Sequence, residues 1–337
     1  MKKLALKITP QRSAQYANMT GKLAGPELLA SLLGTAVQQI EPVTFAGQGY
    51  LLVTIDDEGE ISRALEEVLP RLGATSEAYE YFEHIGEVKG PFLRPLETSF
   101  APFLPLEMAE IRRYKGKTNE VFTRVLLNIA VFAGAYSNQC AGRLRVLDPL
   151  AGGGTTLFLA LAAGYDAFGI EQQKQDVETT VVFIRQYLNS IHMPYKELDE
   201  RGRRAGRRYQ FEIGGKGATR SLVLAHGDTC EANLHMQEVP GGPHMHAIAG
   251  DLPYGIQHFG EISGMLSKAL PVWERVLLPG GTLALAWNAT RIERTAIADL
   301  VERHSQLHVR DDPPYTQFVH TVDRVIKKRD VLVAVKV

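Results

Sequence analysis

The stretch that decides the fold is residues 144–156, LRVLDPLAGGGTT. It begins with a short apolar run, passes through Asp148 and Pro149, and reaches three consecutive glycines before the apolar residues 157–163. This order is typical of a buried strand, a tight turn and the start of a helix. Glycines at such a turn let a ligand approach the backbone, and the helix N-terminus presents unpaired N–H groups to it. The sequence therefore predicts a ligand-binding strand–loop–helix unit.

Strand and helix patterns alternate on both sides of this unit. Upstream, the apolar spacing in 122–133 predicts an amphipathic helix packed on a larger body. Downstream, further strands are predicted at 167–170, 222–225, 247–249 and 283–287, helices at 155–163, 177–188, 262–277 and 292–303, and closing strands at 307–309 and 331–335. Repeated βα units predict an α/β fold with a mostly parallel, Rossmann-like sheet that ends in a closing β-hairpin.

Composition sets limits on the class of protein. The chain has 337 residues, 45% of them hydrophobic and 22% charged, which is typical of a soluble globular enzyme. A formal net charge of −1 means that any contact with nucleic acid has to come from a local basic patch. Two cysteines are too few for a disulfide framework or a four-cysteine zinc site. The lysine-rich start predicts no export signal, and no stretch predicts a membrane span, so we expect a cytoplasmic protein.

The sequence divides into three parts. Residues 1–95 predict a small α+β domain, with strands at 4–8 and 50–55 and helices at 27–33, after Gly25-Pro26, and at 61–72. This part has nine basic and twelve acidic residues and is a poor phosphate-binding surface by itself. A proline-rich stretch that begins at Pro91 predicts an extended connector, placed at 96–118. Residues 119–337 form the main domain, with a basic insertion at 196–220 that has eight basic and four acidic residues.

Three classes of ligand compete for the glycine loop. A dinucleotide fingerprint needs a third glycine where Leu157 stands, and a phosphate-binding P-loop needs a lysine where Thr155 stands. Gly116-Lys117-Thr118 resembles the end of a P-loop, but Ile111 occupies the position of its first glycine. The third class is a cationic ligand, because Asp148 faces the loop and would repel a pyrophosphate. S-adenosylmethionine carries the positive charge that suits this carboxylate.

Further carboxylates end the next strands. Glu171 ends the second strand, where an acidic side chain commonly accepts ribose hydroxyls, and Asp228 follows the third, where it can accept from an adenine amino group. The predicted donor-binding residues are Asp148, Pro149, Ala151, Gly152, Gly154, Thr155, Thr156, Glu171, Asp228 and Asp251.

The catalytic prediction lies at the end of the fourth strand, in Asp251-Leu252-Pro253-Tyr254. Chemistry in open α/β sheets collects at the carboxyl ends of strands. An exocyclic amine has a delocalised lone pair, so acceptors that hold its two protons favour methyl transfer. The Asp251 carboxylate and the Leu252 carbonyl supply such acceptors, Pro253 stiffens the turn, and Tyr254 offers an aromatic face to a flipped base.

These two motifs resemble a known family. Residues 148–156 are similar to the donor loop of class I S-adenosylmethionine-dependent methyltransferases, and residues 251–254 are similar to their Asp/Asn-Pro-Pro-Tyr motif of amine methylation. Leu252 departs from the usual proline, and Asp-Leu-Pro-Tyr-Gly resembles the RNA guanine-N2 methyltransferases that carry a THUMP domain. Residues 24–34 are similar to the first helix of the ferredoxin-like domain of those enzymes. About 95 residues cannot hold that domain and a full THUMP module, so the resemblance implies a reduced RNA-capturing device.

For the substrate side of the site, the sequence leaves more than one interpretation open. Asp312-Pro313-Pro314-Tyr315 spells the methylation motif but follows the fifth strand, so we interpret it as a turn. The basic insertion, with Tyr209 and Phe211, predicts either a phosphate-tracking, base-stacking surface or a solvated hairpin. The predicted substrate contacts are Tyr254, His258, Arg204, Arg207, Arg208 and Lys117. Histidines 235, 244 and 246 lack the partners of a metal site, and none is predicted.

The sequence thus predicts a methyltransferase for an exocyclic amine of a base in RNA, either tRNA or rRNA, with guanine N2 ahead of adenine N6. DNA and a small-molecule amine stay open as alternative substrates. A non-catalytic binding protein with this fold is the second alternative.

Overall fold

The computed structural model describes residues 1–11, 14–56, 61–97, 100–200, 206–253, 259–322 and 327–337. Their strands are β1 (Lys2–Ile8), β2 (Val37–Phe45), β3 (Gln48–Ile55), β4 (Thr75–Ile85), β5 (Val88–Pro95), β6 (Arg145–Asp148), β7 (Asp166–Glu171), β8 (Tyr195–Glu200), β9 (Arg208–Ile213), β10 (Arg220–His226), β11 (Met245–Asp251), β12 (Leu277–Trp287), β13 (Leu307–Val309) and β14 (Asp330–Lys336). Their helices are α1 (Ala14–Ala30), α2 (Ile61–Val68), α3 (Glu107–Ile111), α4 (Glu120–Phe132), α5 (Thr155–Ala162), α6 (Lys174–Ser190), α7 (Ala232–His235), α8 (Phe259–Val276) and α9 (Arg294–His304).

The larger sheet has the predicted Rossmann-like organisation. Its order is β13-β14-β12-β11-β6-β7-β10-β9-β8, and the central strands from β12 to β10 run parallel. The chain moves from β6 outward through β7 to β10, then returns to the other side of β6 with β11. The strand order therefore reverses between β6 and β11, which is where open α/β sheets form a ligand crevice at the carboxyl ends of their strands. β14 pairs antiparallel with both β12 and β13, which confirms the closing antiparallel pair.

Helices cover both faces of this sheet. One core joins the apolar sides of α4, α5 and α6 to the sheet, and the apolar positions predicted in 122–133 are buried there. The other core joins the opposite face to α7, α8 and α9 around Trp273 and Trp287. Burial of both faces explains why the central strands consist of continuous apolar runs rather than alternating patterns.

The N-terminal part has its own antiparallel sheet, in the order β2-β3-β1-β4-β5. The element order β1-α1-β2-β3-α2-β4 with this pairing is that of a ferredoxin-like fold. The helix predicted for 27–33 in fact begins at Ala14 and continues through Pro26, so the Gly25-Pro26 start signal was misleading. Pro91 and Pro95, expected to open the connector, lie within β5. That strand is at the edge of the sheet, where the missing N–H of proline is tolerated. The boundaries at 95 and 118 stay predictions.

A buried polar cluster joins the N-terminal part to α4. Glu27 is fully buried and accepts hydrogen bonds from the backbone N–H groups of Gly73 and Ala74 at 2.8 and 2.9 Å and from Asn128 Nδ2 at 2.7 Å. Burial raises the pKa of Glu27, and the three donors oppose that rise. Arg124, also on α4, donates to the carbonyls of Pro70 and Arg71. The N-terminal end of α4, which borders the ligand crevice, is thereby fixed.

The basic insertion extends the sheet through β9 and β8, which pair antiparallel beyond β10. Tyr209 and Phe211 are buried in the core, so the base-stacking role considered for them is wrong. Side chains alternate between the two faces of β9, and the face that carries Tyr209 and Phe211 packs into the core. None of the described helices combines the length and the apolar character needed to cross a bilayer.

Candidate functional site

The crevice at the strand-order reversal contains a cavity of about 520 Å³. Its walls come from the carboxyl ends of β6, β7, β10 and β11, from the segment before α4, and from α8. The predicted donor residues Asp148, Pro149, Ala151, Gly152, Thr155, Thr156, Glu171, Asp228 and Asp251 all line it. The volume lies in the range of small-molecule and cofactor sites. Among the described residues of its lining, none belongs to the Asp312–Tyr315 segment. That segment forms the predicted turn, with Tyr315 N–H donating to the Asp312 carbonyl.

The glycine loop has the close backbone approach that the sequence predicts. Gly152 and Gly154 have φ angles of +49° and +90°, a region that side chains disfavour. A Cβ on Gly153 would lie 2.4 Å from the ring of Tyr114. The Tyr114 hydroxyl and Thr155 Oγ1 are 2.7 Å apart, and Thr155 is the first residue of α5. The Tyr114 ring therefore covers the loop at the N-terminus of this helix.

Glu171 connects the end of β7 to the loop. Its Oε2 accepts from Gly152 N–H at 2.8 Å, and its Oε1 accepts from Gln173 N–H at 2.6 Å. Asp228 accepts from Cys230 N–H at 2.9 Å and caps the short 3₁₀ turn that follows β10. Both carboxylates are held by the backbone while they line the cavity, so their orientation is fixed before a ligand binds.

Asp148 is a buried carboxylate of the cavity with a raised pKa. It is 4% exposed, and Leu150 N–H donates to its Oδ1 at 3.0 Å. Burial raises the pKa of Asp148 to about 7; the Thr156 hydroxyl and Leu150 N–H oppose the rise, and the nearby charges of Asp251 and Glu171 add to it. The described lining of the cavity includes five carboxylates, Asp148, Glu171, Asp176, Asp228 and Asp251. Such a set repels phosphates and attracts cations.

Asp251 lies at the end of β11, the strand next to β6, and also lines the cavity. Its Oδ2 accepts from Thr118 Oγ1 at 2.7 Å and from the guanidinium of Arg329. Burial raises the pKa of Asp251, and the charge of Arg329 and the bond from Thr118 oppose that rise. Leu252 is buried and its N–H donates to the Ala286 carbonyl at 2.8 Å, whereas the exposed Pro253 faces the cavity.

Several predicted substrate contacts are placed elsewhere. Arg208 is 1% exposed and donates to the carbonyls of His235 and Gln237, and this burial removes it from any substrate surface. Lys117 forms an ion pair with Glu120 and donates to the Glu110 carbonyl, so its charge is used in fixing the start of α4. The substrate role expected for Arg208 is therefore wrong, and that of Lys117 stays a prediction.

The remaining substrate residues divide into two groups. Arg207 is half-buried with its guanidinium 4.4 Å from the ring centroid of Tyr209, and its substrate role stays a prediction. Tyr254, His258 and Arg204 lie outside the described residues.

Sequence reasoning missed one residue of the site and misjudged another. Arg329 is 78 positions from Asp251 in the chain, and no motif surrounds it. Thr118 was considered as part of a P-loop resemblance, but its hydroxyl donates to Asp251, while Asn119 caps α4 by accepting from Phe122 N–H at 3.1 Å. Within the described ranges, no group of three or more His, Cys, Asp or Glu side chains is placed to hold a metal ion.

Comparison with known proteins gives structural similarity only. No family model matches the chain, and no curated protein is significantly similar to it. TrmN from Thermus thermophilus aligns over 100% of both chains with 14% identity and a TM-score of 0.44. A methyltransferase homologue from Pyrococcus horikoshii aligns over 100% of this chain and 87% of its own, with 11% identity and a TM-score of 0.41. An rRNA methylase from Streptococcus thermophilus aligns with 59% of this chain and 90% of its own, with 14% identity and a TM-score of 0.34.

Proposed function

We propose that this protein is an S-adenosylmethionine-dependent methyltransferase that modifies an exocyclic amino group of a base in RNA, with guanine N2 as the favoured position and tRNA or rRNA as the substrate. The observation that carries the proposal is the placement of Asp251 in one cavity with the glycine loop, Asp148 and Glu171. A cation-favouring donor site and a proton acceptor for an amine thus share one space.

The residues of the cavity fit this donor. Gly152 and Gly154 form a left-handed turn that leads into α5, and a helix N-terminus favours a ligand that accepts hydrogen bonds. Glu171 would hold the ribose hydroxyls and Asp228 the adenine amino group. Asp148 supplies negative charge near the cationic part of the donor. A pyrophosphate cofactor would meet the five carboxylates in the described lining of the cavity and is disfavoured.

Asp251 would act on the acceptor. When bound, the donor supplies an electrophilic methyl group next to this residue. The Asp251 carboxylate accepts a hydrogen bond from the amine, which draws the nitrogen lone pair out of conjugation, and it takes up the proton that the methylated nitrogen releases. The Leu252 carbonyl as second acceptor and the Tyr254 ring as stacking face complete this proposal; Tyr254 lies outside the described residues.

The choice of RNA rests on two supports. One is the Asp-Leu-Pro-Tyr-Gly sequence at 251–255, which resembles the RNA guanine-N2 methyltransferases. The other is the ferredoxin-like order of the N-terminal part, which those enzymes also have before their THUMP module. The burial of Arg208 and the ion pair of Lys117 reduce the basic surface near the cavity and favour a small-molecule amine as the second candidate.

Donor binding and methyl transfer test the proposal in two steps. Calorimetric titration with S-adenosylmethionine should show binding that Glu171→Ala weakens. Tritiated methyl groups should then enter total RNA, rather than DNA or a metabolite extract, when each is offered separately. Label only in the extract would change the substrate class to a small amine, and absence of donor binding would refute the enzyme assignment.

A further inference from the structure

Arg329, which pairs with His320, contacts Asp251 from the C-terminal part of the chain. The two residues face each other in an isolated antiparallel bridge, with His320 N–H donating to the Arg329 carbonyl at 3.0 Å and Arg329 N–H donating to the His320 carbonyl at 2.8 Å. β14 begins at Asp330, immediately after this bridge. The backbone of Arg329 is therefore fixed on both sides.

The side chain of Arg329 is fixed as well. It is 3% exposed, and its guanidinium carbon lies 3.9 Å from the ring centroid of Phe122 on α4. The ring of His320 contacts the same phenyl group at a centroid distance of 4.9 Å. The guanidinium donates to Asp251 Oδ2, the atom that also accepts from Thr118. A guanidinium stays charged even when buried, and burial of such a charge is costly unless it is paired. This arrangement commits Arg329 to Asp251.

We propose that Arg329 is a positioning residue for methyl transfer, which holds Asp251 ionised and orients it as the acceptor for the substrate amine. This inference rests on the proposed function. A protonated Asp251 would be a weaker acceptor for the N–H groups of the amine and could not take up the proton that the methylated nitrogen releases. Since Arg329 and Thr118 both bind Oδ2, the plane of the carboxylate is also set before the substrate arrives.

Several other titratable groups lie near Asp251 and Arg329 and affect the charge of Asp251. Asp148 and Tyr114 line the same cavity as Asp251, and the charge of Asp148 disfavours a second ionised carboxylate. His320 is held with Nδ1 2.9 Å from the Phe318 carbonyl, and burial lowers its pKa, so it is neutral near pH 7. From α1, Tyr16 lies near Arg329 and Lys22 lies near His320. Within the described ranges, Arg329 is a buried cation in direct contact with Asp251.

Arg329→Gln and Arg329→Lys test the proposal, with Arg185→Gln as the matched control. Arg185 forms an ion pair with Glu197 on the β8 side of α6, outside the cavity lining. Loss of a contacting opposite charge raises a carboxyl pKa by about 1–3 units. We therefore expect Arg329→Gln to reduce single-turnover methyl transfer at pH 7 by about 100-fold, to move the acid limb of its pH profile upward by about 1–3 units, and to leave the donor Kd within about threefold.

The lysine variant and the control make the outcome decisive. Arg329→Lys keeps the charge and should restore the position of the acid limb, with a rate within about tenfold of wild type. Arg185→Gln should match wild type in rate and pH profile. A rate loss in Arg329→Gln without movement of the acid limb would overturn the proposal in favour of a merely structural role, and an unchanged rate would overturn it outright.

A second measurement does not depend on activity. In protein labelled with ¹³C at aspartate carboxyl carbons, the Asp251 signal is the one lost in Asp251→Ala, and its titration gives the pKa directly. Arg329→Gln should raise that pKa by about 1–3 units and Arg185→Gln should not. A pKa of Asp251 that is equal in wild type and Arg329→Gln would overturn the inference. Failure of the wild type to methylate any substrate would refute the proposed function while this titration still reported on Arg329.

Discussion

Replacement of Asp148 with asparagine tests the electrostatics of the donor cavity. Asp148 is 4% exposed, and burial raises its pKa from 3.8 to about 7. One pKa unit corresponds to about 1.4 kcal/mol, so a rise of roughly three units corresponds to at most about 4 kcal/mol. The folded protein holds a proton that the unfolded chain releases near pH 4. The stabilising contribution is therefore full below about pH 4 and is lost as the pH rises through about 7.

The same group should control donor affinity. A cation next to Asp148 favours the ionised carboxylate, so below pH 7 binding has to release a proton and weakens by up to about tenfold per pH unit. We expect the Kd of wild type for S-adenosylmethionine to weaken by about 100-fold from pH 7 to pH 5. Asp148→Asn should bind more weakly at pH 8, with a Kd that changes little with pH.

Calorimetric titration at each pH from 5 to 8 measures this change in Kd. Repeating it in two buffers of different ionisation enthalpy gives the number of protons released on binding. S-adenosylhomocysteine, which lacks the sulfonium charge, serves as the comparison ligand, and a smaller pH dependence is expected for it. An affinity of wild type that does not change with pH, or an equal slope in Asp148→Asn, would refute the reasoning. The free energy of unfolding of Asp148→Asn should also fall less than that of wild type between pH 4 and pH 8.

Three further predictions follow from contacts around the cavity and the domain junction. Glu171→Gln should weaken donor binding by about tenfold or more in calorimetry, because an amide cannot replace both oxygens that accept hydrogen bonds; unchanged affinity would exclude Glu171 from the donor site. Gly153→Ala should also weaken donor binding, because its Cβ would meet the Tyr114 ring at 2.4 Å, and Tyr114→Ala in the same chain should recover part of the loss; no recovery would place the cause elsewhere. Glu27→Ala should lower the free energy of unfolding in urea by about 3 kcal/mol, since it leaves three buried donors unsatisfied; a loss below about 1 kcal/mol would contradict this view of the junction.

The central sheet and its carboxylates were predictable because their signals are local. Asp148 and Asp251 each follow an apolar strand directly, and parallel strands bring their carboxyl ends to one edge. The periodicity of 122–133 likewise predicted the buried face of α4. In these segments, the local runs and spacing of apolar residues also determine which side chains are buried in the packed structure.

The parts that were not predictable depend on tertiary contacts. Pro26 lies inside α1 because neighbouring elements stabilise the helix despite the missing hydrogen bond. Arg208 was predicted as a phosphate contact because its neighbours in the sequence are basic. In the structure it lies in β9, is buried, and donates to backbone carbonyls. Arg329 contacts Asp251 across 78 positions of the chain, from a segment that pairs with His320. A single arginine carries no local signal of such a role.

The most direct test of the central claim is nucleoside analysis by mass spectrometry after methylation of RNA with a deuterium-labelled methyl donor. Wild type should place the labelled methyl group in N2-methylguanosine, and Asp251→Ala should place none while it binds the donor within about threefold of wild type. Undiminished label with Asp251→Ala, or no labelled nucleoside from a wild-type protein that binds the donor, would contradict the assignment of this cavity to methylation of a base amine.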